Sequence, residues 1–305
     1  MRPIFPIWGI RSRECRTRPA RGGVGRNQTI TRERKEQSAA EVKITVLIEN
    51  RTGDESLAAE HGLSLYIETS RGRILFDAGQ SGAFADNADR LGIDLEKADF
   101  AVLSHGHYDH GGGLFRFLER NRKAVIYVSE NAFGRHLNRK GEYIGLDPRL
   151  RESGRLVLTG DEYAILDGVS LYTCNGADLK YPIDSAGLSV ESDGRTAPDT
   201  FRHEHYLLIE EEGRRCLISG CSHKGILNLA ARFEPDVLVG GFHFKDIGTD
   251  SEGRERLTHA ARELLSHPTV YYTGHCTGAE QFDLMKKVMG DRLEYISTGS
   301  RLELL

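Results

Sequence analysis

The 305-residue chain contains no run of 18 or more apolar residues, which excludes a helical membrane span written into its sequence. Its five cysteines, at 15, 174, 216, 221 and 276, are odd in number and include no Cys-x-x-Cys pair. That usage argues against a disulfide framework and for a reducing cytoplasm. The Gly-Gly stretches lack the Lys and Ser/Thr of a phosphate-binding loop. No apolar stretch follows the arginines between Arg11 and Arg18, so a secretory signal is not expected. Acidic residues outnumber basic ones after the first 40 residues. Those 40 hold ten Arg or Lys and three Glu, a surplus of seven, so a chain of net charge -4 leaves -11 on residues 41–305. An acidic body of this kind does not suit nucleic acid. Residues 1–40 have few periodic apolar positions and read as a disordered basic extension. Residues 41–305, in a chain 39% apolar and 28% charged, have the material for one sizeable domain.

What the chain does have is a dense set of metal-ligand types. Ser104-His105-Gly106-His107-Tyr108-Asp109-His110-Gly111-Gly112-Gly113 follows the apolar run Phe100 to Leu103. One such histidine would read as an ordinary loop residue; four ligand-type side chains within six residues read as a metal site. The run before them predicts a buried strand. The chain then turns so that His105 and His107 can aim at one ion, and Asp109 and His110 at a second beside it. Imidazole suits zinc, iron and manganese, and the carboxylate moves the balance toward harder ions.

In chain order, the pattern predicts a strand at 41–48, a hairpin at 63–68 and 73–77, and a helix from Ser81 to Leu91 capped by Ser81. After the His-rich loop come a helix at 114–120, a strand at 124–128 and a helix from about Glu130 to Asn138. Residues 139–204 are less regular, with strand signals at 156–158 and 169–173, and so long a connection is expected to cover the site. A second hairpin at 205–210 and 214–219 ends in Gly220-Cys221-Ser222-His223. A helix at 226–233 follows it, and a strand at 237–239 ends in Gly240-Gly241-Phe242-His243. A helix at 254–266 leads to a strand at 269–272 that ends in Gly274-His275-Cys276. Each of these strands delivers a histidine to a Gly-flanked loop.

His-x-His-x-Asp-His after a hydrophobic strand resembles the signature of the metallo-β-lactamase fold superfamily. Glu-His-Gly-Leu-Ser at 60–64, Leu-Phe-Asp-Ala-Gly-Gln at 75–80 and the three later His loops extend the likeness. Together they resemble the branch that includes the dihydropterin–arylamine synthase of methanopterin biosynthesis, over about residues 41–300. The resemblance implies an α/β fold, a four-layer αββα sandwich with two divalent ions at one end, zinc foremost and manganese or iron as alternatives. It implies His105 and His107 on the first ion, Asp109 and His110 on the second, and His275 completing the second. Two histidines compete for the remaining place on the first ion. His203 lies where superfamily members usually supply it, whereas His223 is preferred because it leaves a strand directly. Cys221 stands where the superfamily often has a bridging Asp, and Asp77 matches a residue beneath the metal loop, expected to hold that loop. His243 is a candidate proton donor. His61, His136, His205, His259 and His267 read as structural or surface residues.

Two ions side by side would suit a metal-dependent hydrolase of a small molecule, a phosphoester, lactone, amide or thioester, with Asp109 and His243 in catalytic roles. The alternatives are a transferase that joins a pterin diphosphate to an arylamine, and a metal-binding sensor without turnover. The partner is expected to be a small molecule, not nucleic acid or a membrane, and the oligomeric state is left open.

Overall fold

The β-branched stretch Val42–Ile48 forms a strand covered on both faces. Val42, Ile44 and Val46 point into the layer between two sheets, while Leu47 and Ile48 pack toward helices outside. The change of side falls at a β-bulge between Val46 and Ile48 against Ser64–Thr69, because one extra residue inverts the alternation. The computed structural model describes residues 42–304, which lie in a compact unit spanning residues 39–305. The expected basic extension at 1–40, Cys15 within it, and Glu41 fall outside the described residues.

Two seven-stranded sheets face each other. The first runs Arg301–Leu304, Val42–Ile48, Ser64–Thr69, Gly72–Phe76, Phe100–Val102, Val125–Ser129, Leu156–Thr159, and the second Leu293–Tyr295, Val270–Thr273, Val237–Val239, Arg214–Ile218, Tyr206–Glu211, Val169–Tyr172, Glu162–Leu166. One apolar cluster fills the space between the sheets. A second joins the first sheet to the helices Ala83–Arg90 and Leu114–Arg120, and a third joins the other sheet to Ile226–Phe233, Ser251–Leu265 and Ala279–Met289. Three apolar layers between four structural layers make the αββα sandwich. Fully buried side chains such as Phe117 and Leu264 each contribute about 1.5–3 kcal/mol.

Within each sheet the strands from Gly72–Phe76 to Leu156–Thr159, and from Arg214–Ile218 to Leu293–Tyr295, pair in parallel. Parallel strands bring their carboxyl ends to the same edge, where crevices for ligands form. The loops at Asp77, Ser104, Gly220, Gly240 and Gly274 all leave such ends. A small third sheet of Arg135–Leu137, Ser189–Ser192 and Arg195–Pro198 forms a flap.

Several local expectations need correction. Residues 130–138 are a turn and the strand Arg135–Leu137 rather than a helix: Gly134 interrupts the stretch, and the strand pairs with Ser189–Glu191, a partner distant in sequence. The first helix starts at Ala83, with Gly82 as N-cap, although Ser81 Oγ still accepts from Ala83 N at 3.1 Å. The long helix starts earlier, at Ser251, because Asp250 caps it through Gly253 N at 2.9 Å. Strands at Glu162–Leu166, Ser189–Ser192 and Arg195–Pro198 were not expected at all; none has a buried face to set up an alternation. Among the described residues no helix is long and apolar enough to cross a membrane, and Cys174, Cys216, Cys221 and Cys276 are free thiols.

Candidate metal centre

The His-rich loop is hung on Asp77, which is fully buried and has a left-handed φ of 59° at the end of its strand. Its Oδ1 accepts from Ser104 N at 2.7 Å, and its Oδ2 accepts from Ser104 Oγ at 2.7 Å and from His110 Nδ1 at 2.6 Å. Ser104 Oγ, having given its proton to Asp77, accepts from His105 Nδ1 at 2.9 Å. A neutral imidazole that donates from Nδ1 leaves Nε2 as a bare lone pair. Asp77 therefore sets the tautomer of both His105 and His110. Ser222, His243 and His275 share its left-handed backbone, a costly conformation that recurs where side chains are held for function. Gly106 and Gly220 are required by close approach, since a Cβ on either would overlap the Ala132 carbonyl oxygen or Ser104 Oγ.

Across the crevice His275 is held by the end of the first strand. Asn50 Oδ1 accepts from His275 Nδ1 at 2.9 Å and from Gly62 N at 3.3 Å, which fixes the orientation of the amide. Glu49 Oε1 accepts from His275 N at 2.5 Å. His275 Nε2 is thus also bare, and it lies 3.2 Å from His110 Nε2, which is 3.2 Å from Cys221 Sγ. Two unprotonated nitrogens this close repel unless a metal ion or a shared proton lies between them. Asp109 Oδ2 stands 3.4 Å from His275 Nε2 and 3.2 Å from His61 Nε2.

His105, His107 and His223 form a second group, with ligand atoms within 4.8 Å of one another. His105 Nε2, His107 Nε2 and both ring nitrogens of His223 are buried without a hydrogen-bond partner. A buried polar nitrogen without a partner is costly, so these donor atoms fit a metal ion. Burial, and the nearness of the other imidazoles, hold His105, His107 and His223 well below the ordinary histidine pKa, leaving them neutral. Burial likewise brings His275 down to about 3. Burial also opposes charge on His110, but the Asp77 and Asp109 carboxylates outweigh it and raise the group to about 9. For Asp109, burial is outweighed by His110, His275 and His61, which hold the carboxyl well below its usual range. Burial and the neighbouring Cys276 push the Cys221 thiol up. This corner of the site favours positive charge.

The crevice thus gathers His105, His107, Asp109, His110, Cys221, His223 and His275. His203 stands apart in role. Its Nδ1 accepts from Gly106 N at 2.9 Å and its Nε2 faces Asp199 Oδ2 at 3.3 Å, so neither nitrogen is spare, in contrast to His223. His243 packs with ring centroids 4.4 Å from His223 and lines two adjoining cavities, of about 370 and 350 Å³. The first cavity opens on Asp109 and His275 and is edged by Arg139, Lys140 and Lys245. Ala186 and Leu188 from the long connection line it too, where that connection was expected to lie. His61 was expected to be a structural or surface residue, yet it faces Asp109. The Glu-His-Gly-Leu-Ser stretch was the available signal for it. Glu49, Asn50, Asp199 and Glu204 escaped the sequence reading, for no local pattern marks a residue whose partner lies elsewhere in the chain.

The sequence model of a family described as the Metallo-beta-lactamase superfamily matches residues 58–244. The chain is 29% identical over 285 residues to the 7,8-dihydropterin-6-methyl-4-(beta-D-ribofuranosyl)-aminobenzene-5'-phosphate synthase of Methanocaldococcus jannaschii, covering 85% of this chain and 95% of the relative. An uncharacterized protein of the same organism is also 29% identical, over 77% of this chain and 90% of its own length. Among solved structures, a metal-dependent hydrolase of the beta-lactamase superfamily aligns with a TM-score of 0.70 at 27% identity, covering 86% of this chain and 99% of that one. Zn(2+)-bound PqqB from Methylobacterium extorquens shares the fold, with a TM-score of 0.53 at 14% identity over 86% of this chain and all of that one (100%).

Proposed function

The chain belongs to the metallo-beta-lactamase superfamily, and from that premise we propose that it is a metal-dependent hydrolase of a small-molecule substrate, a phosphoester, lactone or related compound. One observation carries the reading: buried imidazole nitrogens without partners adjoin a second group of bare nitrogens and a carboxylate, all beside an open cavity. We assign His105, His107 and His223 to a first ion, and Asp109, His110 and His275 to a second, with Cys221 between the two groups. Nitrogen donors together with a thiol favour zinc over manganese or iron. Divalent ions there would lower the pKa of a water and polarise an electrophilic oxygen of the substrate.

The remaining chemistry belongs to the chain itself. Asp77, through Ser104 and directly, holds the Nδ1 protons of His105 and His110, and Asn50 does the same for His275, so that their Nε2 atoms are the ones turned to the crevice. Lys140 and Lys245 at the mouth, beside Arg139 paired with Asp246 at 2.9 Å, suit a substrate carrying negative charge. Past His223 and His243, the second cavity is walled by Phe242, Phe244 and Ile226 and suits an apolar portion of the same molecule. His243 stands at the junction; burial and the nearby Lys245 lower its pKa to about 4, so its neutral ring can offer the leaving group a hydrogen bond rather than the proton of a charged imidazolium.

A second reading, a transferase joining a dihydropterin diphosphate to an arylamine, is favoured by the 29% identity to the synthase over 85% of the chain. Protein purified without chelators should carry at least one equivalent of a transition metal. With added zinc or manganese it should turn over phosphodiester or lactone substrates. Turnover only of dihydropterin diphosphate with an arylamine would select the transferase, and metal content well below one equivalent would sink both readings.

A further inference from the structure

The six residues Asp199–Glu204 leave the flap hairpin and reach every imidazole of the first group. Asp199 Oδ1 accepts from Phe201 N at 2.7 Å, closing a tight turn in which Phe201 takes a φ of 53°. Phe201, fully buried, lies face to face on the His223 ring, with centroids 4.3 Å apart and planes 10° apart. Glu204 Oε1 accepts from His223 N at 2.8 Å, and its Oε2 accepts from Lys224 N at 3.0 Å and Tyr206 Oη at 2.5 Å. Between the other two imidazoles, the Gly106 N–H donates to His203 Nδ1 at 2.9 Å.

That last bond decides what His203 is. A ring nitrogen that accepts from a peptide N–H carries no proton, so in a neutral imidazole the proton sits on Nε2. Nε2 then donates to Asp199 Oδ2, which also receives His136 Nδ1 at 2.9 Å. His136, Asp199 and His203 approach His107 closely enough to resemble a further ion site, but His203 has no lone pair left to give. The cluster is a hydrogen-bonded clamp in which His136 Nε2 is left without a partner. His136 belongs to the flap strand Arg135–Leu137, so the clamp joins flap and metal loop.

We propose that Asp199–Glu204 is the positioning segment of the first metal site, with His203 and Phe201 fixing the ligand rings rather than binding the ion. This rests on the reading that His105, His107 and His223 hold a metal. Groups behind the ligands set ring orientation and basicity, and their loss typically costs about 10–100-fold in metal affinity. His203→Leu removes the acceptor for Gly106 N. His203→Asn restores it, because an Asn Oδ1 falls near the position of the His Nδ1.

The test titrates zinc into wild type, His203→Leu, His203→Asn and Phe201→Leu against a chromophoric chelator, and records the visible spectrum of each cobalt-substituted form. His203→Leu should weaken the first ion about 10–100-fold and alter the cobalt spectrum. His203→Asn should stay within a few-fold of wild type on both counts. Phe201→Leu should alter the spectrum and weaken binding, and it decides the matter alone should metal-free His203→Leu fail to unfold cooperatively. Wild-type affinity and spectrum in the Leu variants would overturn the clamp while leaving the metal site standing. A wild type that binds no metal would overturn the site and the clamp together.

Discussion

Asp77→Asn should leave the fold in place and weaken one half of the proposed metal centre. The wild-type carboxylate is fully buried and accepts from Ser104 N at 2.7 Å, Ser104 Oγ at 2.7 Å and His110 Nδ1 at 2.6 Å. Replacement by Ala would strand three buried donors at about 1–3 kcal/mol each. That loss approaches the stability of a whole domain, about 5–15 kcal/mol, so Ala would report only on folding. Asn keeps the acceptor for Ser104 N and turns an NH2 toward the other two partners. Ser104 Oγ has lone pairs to receive one of its hydrogens. His110 can receive the other only if Nδ1 gives up its proton, which leaves the ring's one proton on Nε2, the atom that faces His275 and Cys221. Two charge-assisted hydrogen bonds become neutral ones, a loss of about 1 kcal/mol each. Urea unfolding of the metal-free protein should therefore show a drop of about 2–3 kcal/mol with cooperativity kept. Metal analysis after dialysis, with competition titration, should show the second ion weakened by about 10–100-fold or more and the first largely retained. Two equivalents bound at wild-type affinity would refute the tautomer argument.

Three further outcomes are expected. His107→Ala and Asp109→Ala should abolish turnover yet unfold cooperatively near the wild-type temperature, because a core of this size does not need metal to fold; loss of the cooperative transition in either would contradict a purely catalytic site. Deleting residues 1–40, which we propose to be a dispensable basic extension, should change neither melting temperature nor turnover, and a clear fall in either would show that they dock. Metal-free protein should be most stable near pH 6.5. His110, held at about 9 in the fold against 6.5, contributes stability that is full below 6.5 and lost as pH rises toward 9. Burial depresses His203 and His205 to about 4 and His275 to about 3, so the unfolded chain gains protons first and stability falls as pH drops below 6.5. Urea midpoints across this range check the prediction, and a steady rise above pH 6.5 would contradict it.

The sequence by itself determined the elements whose evidence is local. The helix Ile226–Phe233 and the strand Val237–Val239 match their patterns to the residue, because an apolar stripe or run between Gly-containing loops needs no distant partner to be recognised. The same holds for the metal loop. Four ligand-type side chains within six residues after a buried strand stand out without a distant partner, although Asp77 holds them in place in the fold. Tertiary structure decided the rest. The strand Arg135–Leu137 looked helical because its pairing partner begins at Ser189. The sequence preferred His223 to His203 only because it leaves a strand directly; in the fold Gly106 N, 97 residues from His203, donates to His203 Nδ1, while both ring nitrogens of His223 have no partner. Asn50 gives no sign in the sequence that it sets the tautomer of His275, 225 positions away. Residue type fixes which atoms can bind a metal, but whether a given nitrogen is bare or already engaged depends on hydrogen-bond partners that only folding brings within reach.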